Sequence, residues 1–131
     1  MCTQDKIIVT LQDLRRLLPL LEASSDSTLL DRELYRATLV DQHLVPPDVV
    51  TMNTEVVYED RAAGGRRRVR LVYPQDAEPS RGRISILSPL GSALLGLRTG
   101  QLFDAELPSG KMSILVVEVR YQPEASGDLE L

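Results

Sequence analysis

The hydrophobic period of this chain changes once, and the change sits on a pair of prolines. Before Val45-Pro46-Pro47-Asp48, apolar residues recur every three or four positions; after it they recur every second position. Proline fixes its own φ, lacks an N–H and drives the preceding residue into extended backbone, so no helix passes through this tetrapeptide. The pattern is that of helices followed by a sheet, an α+β chain. It divides the chain into a helical part over residues 1–46 and a sheet domain over residues 47–131.

The first part reads as a short antiparallel helical hairpin. In residues 11–22, Leu11, Leu14, Leu18 and Leu21 fall on one helix face, and Thr10 is a natural N-cap. Pro19 removes an intrahelical donor and predicts a kink or a break near Leu18. The polar run at residues 23–28 is a turn. Thr28 with Asp31 three residues on forms a capping box for a second helix over residues 29–44, with Leu30, Leu34, Ala37 and Leu44 facing its partner. Each helix spans about 18–24 Å at ~1.5 Å per residue.

The second part reads as an antiparallel sheet with one short helix. Val50, Met52, Thr54, Val56 and Tyr58 alternate with more exposed positions, as do Val69, Leu71 and Tyr73. Gly64-Gly65 between these runs is a hairpin turn, and Pro108-Ser109-Gly110 is a second. Residues 83–88, 101–107 and 112–121 complete about five strands. Ser88 as N-cap and Pro89 as first helical residue open a helix over residues 89–97, with Leu90, Ala93, Leu94 and Leu97 as its apolar stripe and Gly100 as the stop. The acidic residues 124–131 read as a loosely held tail.

Composition narrows the function. Aromatics are 4% of 131 residues, with no Trp and one Phe, so the core is aliphatic and no aromatic-lined pocket can be built. That argues against a prolyl isomerase. The net charge is −4, which disfavours general or sequence-specific nucleic-acid binding. The single Cys2 permits no internal disulfide and fits a reducing compartment; no run approaches the ~20 residues of a membrane span, so the cytoplasm is expected. The single His43 sits beside the Pro-Pro linker and reads as a solvated helix-end residue, so neither a His-based nucleophile nor a zinc site is expected. Gly91 and Gly96 have phosphate-loop spacing, but Leu97 and Arg98 follow where Lys and Ser or Thr are needed. No enzyme activity and no cofactor are expected.

Two charged clusters remain. Arg61, Arg66, Arg67, Arg68 and Arg70 crowd one β-hairpin and could meet phosphates or an acidic partner; they also suit a solvated turn that guards a sheet edge. Glu22, Asp26 and Asp31 gather at the helical tip, where acids could reach a metal ion or a basic partner, or could simply favour the second helix's N-terminus.

Residues 84–121 carry a longer signal. The run Ser88-Pro89-Leu90-Gly91-Ser92-Ala93-Leu94-Leu95-Gly96, preceded by Ile84-Ser85 and followed by Gly100 and Pro108-Ser109-Gly110, closely resembles the C-terminal domain of the bacterial Gre transcript-cleavage factors. The resemblance widens, over roughly residues 47–131, for the branch named for regulating nucleoside diphosphate kinase, through Pro47-Asp48-Val49-Val50-Thr51-Met52-Asn53, Leu71-Val72-Tyr73-Pro74 and Tyr121-Gln122-Pro123-Glu124-Ala125. It implies a coiled-coil hairpin on an FKBP-like sheet domain, and bacterial RNA polymerase as partner. The sheet domain would grip the rim of the secondary channel through Leu87, Ser88 and Pro89, and the hairpin would enter it. In cleavage factors an acidic pair at the tip helps hold a catalytic magnesium. Here the hairpin is much shorter and the tip sequence departs from that motif, so the resemblance implies binding, in competition with Gre factors, without stimulated cleavage. The link to nucleoside diphosphate kinase is an effect on its levels. Cleavage stimulation through Asp26, and direct contact of the arginine hairpin with the kinase or another acidic protein, are the alternatives.

Overall fold

The structure is a computed structural model that describes residues 7–23, 28–107 and 110–128. The chain opens with strand β1 (Ile8–Thr10), helix α1 (Leu11–Ala23), helix α2 (Thr28–Arg36) and strand β2 (Thr38–Val40). Strands β3 (Glu55–Asp60) and β4 (Arg66–Val72) follow, then two 3-10 turns, strand β5 (Arg83–Ser85), helix α3 (Pro89–Leu94), strands β6 (Leu102–Leu107) and β7 (Gly110–Tyr121), and a last helical turn, α4 (Pro123–Ser126). The five later strands form one sheet in the order β5-β4-β3-β7-β6.

Thr10 caps α1 as expected, its hydroxyl accepting the Asp13 N–H at 3.0 Å. The helix runs unbroken through Pro19. Its buried face is only partly the expected one: Leu14 and Leu21 pack on the core, but Leu11 and Leu18 are exposed, at 39% and 47%, and Leu17 is buried instead. The reason is Asp13, one turn before Leu17, which is buried at 3% exposure and turns that polar position inward. A carboxylate on the core side hides the stripe from a hydrophobicity reading.

The second helix stops at Arg36, short of Leu44. Beyond Ala37 the chain prefers a ladder: the Thr38 N–H donates to the Ile7 carbonyl at 2.9 Å, and β2 pairs β1 in parallel from Ile8↔Thr38 to Thr10↔Val40. Leu44 is accordingly exposed at 75%, and His43 lies in a turn, its N–H donating to Asp41 Oδ1 at 2.8 Å. α2 packs on α3. The tip residues 24–27, Asp26 among them, lie outside the described residues, as do the side chains of Thr28 and Asp31.

In the sheet, Val50, Met52, Thr54, Val56 and Tyr58 are all buried, but the strand begins only at Glu55. Residues 51–54 form a turn in which Thr51 and Thr54 bond each other, and Asn53 takes φ 66°. The sheet is not wholly antiparallel: β5 runs parallel to β4, with Arg70↔Arg83 in register, because the 3-10 turns carry the chain back before it. Gly64-Gly65 turns between β3 and β4 as expected; Pro108 and Ser109 lie outside the described residues. The final acidic stretch is anchored at its start rather than loose. Gln122 caps α4, accepting the Ala125 N–H at 3.2 Å, and its amide donates to the Pro46 and Val49 carbonyls.

One buried cluster joins Ile7, Val9, Leu17 and Leu30 to Val56, Leu71, Leu94, Phe103 and Val116. It is aliphatic but for Phe103 and Tyr58, as the composition requires.

Candidate functional site

The segment from Ser85 to Leu97 is shaped by its hydroxyls and glycines. The Ser88 hydroxyl accepts the Gly91 N–H at 3.0 Å, capping α3, and donates to the Ser85 carbonyl at 2.7 Å. Ser85 Oγ accepts the Leu87 N–H at 3.1 Å, and Ser92 Oγ donates to the Ile86 carbonyl at 2.8 Å. A Cβ on Gly91 would stand 2.1 Å from the Ser85 carbonyl oxygen, so only glycine lets α3 lie this close to β5. Gly96 ends the helix at φ 86°, and a Cβ there would stand 2.8 Å from Ile7 Cβ. The helix stops at Leu94, earlier than expected, because this left-handed residue must receive β1: the Ile8 N–H donates to the Gly96 carbonyl at 3.1 Å. Both glycines are therefore explained by close packing, as the missing Lys and Ser or Thr suggested.

Leu87, Ser88 and Pro89 are held in this loop, with Leu87 packed on the core and Pro89 exposed. Next to them Leu90 joins Tyr58, Asp60, Lys111, Met112 and Ile114 around an open cleft of about 350 Å³. Its floor is apolar and its rim carries one acid and one cation. No sequence pattern pointed to this cleft, because its walls come from α3, β3 and β7.

Of the acidic candidates, Asp26 and the side chain of Asp31 lie outside the described residues. Glu22 is exposed near the end of α1, and Asp31 lies in the first turn of α2. Among the described residues no group of three His, Cys, Asp or Glu side chains could hold a metal ion. No helix among them is long and apolar enough to cross a membrane. The basic candidates Arg66, Arg67 and Arg68 open β4 and are exposed. Arg66 meets Glu59 at 4.0 Å and Arg68 meets Glu55 at 3.1 Å.

A buried polar junction escaped the sequence reading. Asp13 Oδ2 accepts the Met52 N–H at 3.1 Å, the Thr51 hydroxyl donates to Glu124 Oε1 at 2.7 Å, and Thr51 and Thr54 are linked at 2.8 Å. Burial pushes the Asp13 carboxyl up to about 6, aided by the negative Glu124 and opposed first by the Met52 N–H and then by Arg16. Burial likewise pushes the Tyr73 hydroxyl up to about 12, with Asp13 adding to it and Arg16 opposing. The available signal was the pairing of Thr10 with an acid three residues on, which marks a capped helix start but not its distant partner.

Residues 45–121 match the family described as transcription elongation factor, GreA/GreB, C-terminal. The chain is 44% identical over 100 residues to the regulator of nucleoside diphosphate kinase of Escherichia coli K12, covering 76% of this chain and 74% of that one. It is 39% identical over 92 residues to the transcription elongation factor GreB of Xanthomonas axonopodis pv. citri, covering 70% of this chain and 55% of that one. Among solved structures, a prokaryotic transcription elongation factor GreA/GreB from Nitrosomonas europaea superposes with a TM-score of 0.71 at 41% identity, covering 88% of this chain and 98% of that one. The chain thus belongs to the GreA/GreB family of transcription elongation factors.

Proposed function

We propose that this protein binds bacterial RNA polymerase at the rim of the secondary channel, competes there with Gre cleavage factors and does not stimulate transcript cleavage. In this reading residues 1–46 act as a short helical hairpin and residues 47–131 as an FKBP-like sheet domain that grips the rim. The observation that carries the reading is the capped loop. Ser88 holds Leu87, Ser88 and Pro89 at the surface beside an open, apolar-floored cleft, a preformed seat for a protruding partner segment. Reach keeps the hairpin from stimulating cleavage in this reading. Helices of 13 and 9 residues extend about 20 and 14 Å at ~1.5 Å per residue. An effect on nucleoside diphosphate kinase is read as indirect, through transcription.

The test is displacement of a labelled cleavage factor from core polymerase. The chain should displace it, Pro89→Asp should weaken displacement at least about tenfold, and RNA in a stalled elongation complex should stay uncut. Failure to displace at micromolar excess overturns the binding claim; shortened RNA overturns the claim about cleavage.

A further inference from the structure

The outer face of the sheet holds a second concavity, lined by four arginines. Alternation along β4 buries Val69 and Leu71 on the core side and sends Arg66, Arg68 and Arg70 to the other face. Pairing in register with Arg70, β5 adds Arg83, and the 3-10 turn before it adds Arg81. Arg68, Arg70, Arg81 and Arg83 surround Glu55 in a cleft of about 220 Å³. We propose that this cleft is an anion site that takes a phosphoryl group, either a free inorganic phosphate or the terminal phosphates of a nucleotide.

The charge balance of the cleft favours an anion. Glu55 lies 3.1 Å from Arg68 and 3.7 Å from Arg70, and Glu78 lies 3.3 Å from Arg81. Two acids thus serve three of the four guanidinium groups, and the Arg83 guanidinium has no ion-pair or hydrogen-bond partner among the described residues. The site keeps an excess of positive charge on a chain whose net charge is −4. Every cation is arginine, whose planar fork meets phosphate oxygens two at a time.

The frame is also set in advance. Arg70 donates to the Asn53 carbonyl at 3.2 Å and stacks 5.1 Å over the Tyr121 ring. Its backbone N–H donates to the Gly82 carbonyl at 2.7 Å, and the Arg83 N–H donates to the Glu78 carbonyl at 3.1 Å. The backbone frame and Arg70 are held this way and lose little freedom on binding.

Size and surroundings choose the ligand. The volume is below the ~300 Å³ at which whole drug-sized ligands are held, and it suits a phosphate group. The register also puts Glu59 and, across β3, Glu118 on this same face, so a broad acidic protein surface would meet like charges there. A small anion would not. The cleft is on the sheet face away from α3, so the inference is independent of polymerase binding.

The test is titration of the whole protein with inorganic pyrophosphate, followed by calorimetry and by amide chemical shifts, against sodium chloride of equal ionic strength. Saturable binding with shifts confined to residues near 55, 68–70 and 81–83 is expected. Arg83→Gln should weaken it about tenfold, while Arg15→Gln on α1 should leave it unchanged. An ATP titration separates the sources: equal affinity means that phosphate alone is read, and tighter binding means that the nucleotide is the source; both support the site. Shifts matched by sodium chloride, or equal losses in the two variants, overturn it. Saturable binding of polyglutamate with pyrophosphate silent overturns it in favour of an acidic protein partner.

Discussion

Two fastenings tie the residues before Pro46 to the later part of the chain: both include a backbone hydrogen bond, but one is closed by a missing side chain and the other by a buried carboxylate. At Gly96 the joint is steric: β1 lies against a glycine with no room for a side chain. At Asp13 it is polar: a buried carboxylate accepts a single backbone N–H from Met52. A steric joint is insensitive to solution conditions and intolerant of substitution. A polar one tolerates an isosteric change but varies with pH. The contrast shows how one fold can hold its first elements both firmly and conditionally.

The comparison is most exposed at Gly96. Gly96→Ala places a methyl 2.8 Å from Ile7 Cβ on a residue at φ 86°. Left-handed strain of about 1–2 kcal/mol and overpacking of about 1–3 kcal/mol sum to a loss of about 2–5 kcal/mol in urea denaturation. Gly100 has φ 87° with nothing within 4 Å, so Gly100→Ala isolates the strain and should cost only about 1–2 kcal/mol. Equal losses in the two variants would show that the joint is not steric.

Asp13 gives the next largest effect. Its carboxyl holds a proton more tightly in the folded chain, about 6 against 3.8, because burial disfavours the charge. Folding therefore takes up a proton in that window, and stability falls as pH rises through it. Below 3.8 the group is protonated folded or unfolded and has no cost. Above about 6 the full cost is present, up to about 3 kcal/mol. Asp13→Asn keeps an acceptor for the Met52 N–H and removes the charge. It should flatten this part of the stability profile and leave the variant more stable than the wild type above about pH 6. Parallel profiles for the two proteins would contradict a buried charge at this joint.

The two joints also differ in how legible they are. Thr10, Ser88, Pro89 and Gly64-Gly65 act on neighbours within a few residues, so their caps and turns can be read from spacing. The five later strands follow from alternation in the same way. By contrast, β2 replaces the end of a helix because its partner β1 lies some thirty residues earlier, and a local period carries no trace of that pairing. Asp13 bonds a residue 39 positions away, and its polarity disguises the buried face of α1. Likewise the arginines of β4 are visible as a run, whereas Arg81 and Arg83 join them only through the parallel register of β5. The family block from Ser88 to Gly96 was recognisable before its reasons were; Gly91 and Gly96 acquire theirs from Ser85 and Ile7.

The smallest effect tests whether the polar joint extends beyond Asp13. The Thr51 hydroxyl has one proton, and it goes to Glu124 Oε1; the Thr54 hydroxyl must then donate to Thr51 Oγ1, while Thr54 Oγ1 accepts the Thr51 N–H. The proton positions form a one-way chain into a carboxylate that itself raises the Asp13 pKa. Thr51→Val keeps the shape and removes the middle of that chain, leaving the Thr54 proton without its acceptor. The cost should be about 1–2 kcal/mol, limited because Glu124 is only half-buried and can turn to water. If the chain is continuous, Thr51→Val and Asp13→Asn combined should change stability by an amount that departs from the sum of the two. Strict additivity would mean that Asp13 and Met52 form the polar joint alone, with Thr51 and Glu124 merely closing the turn beside it.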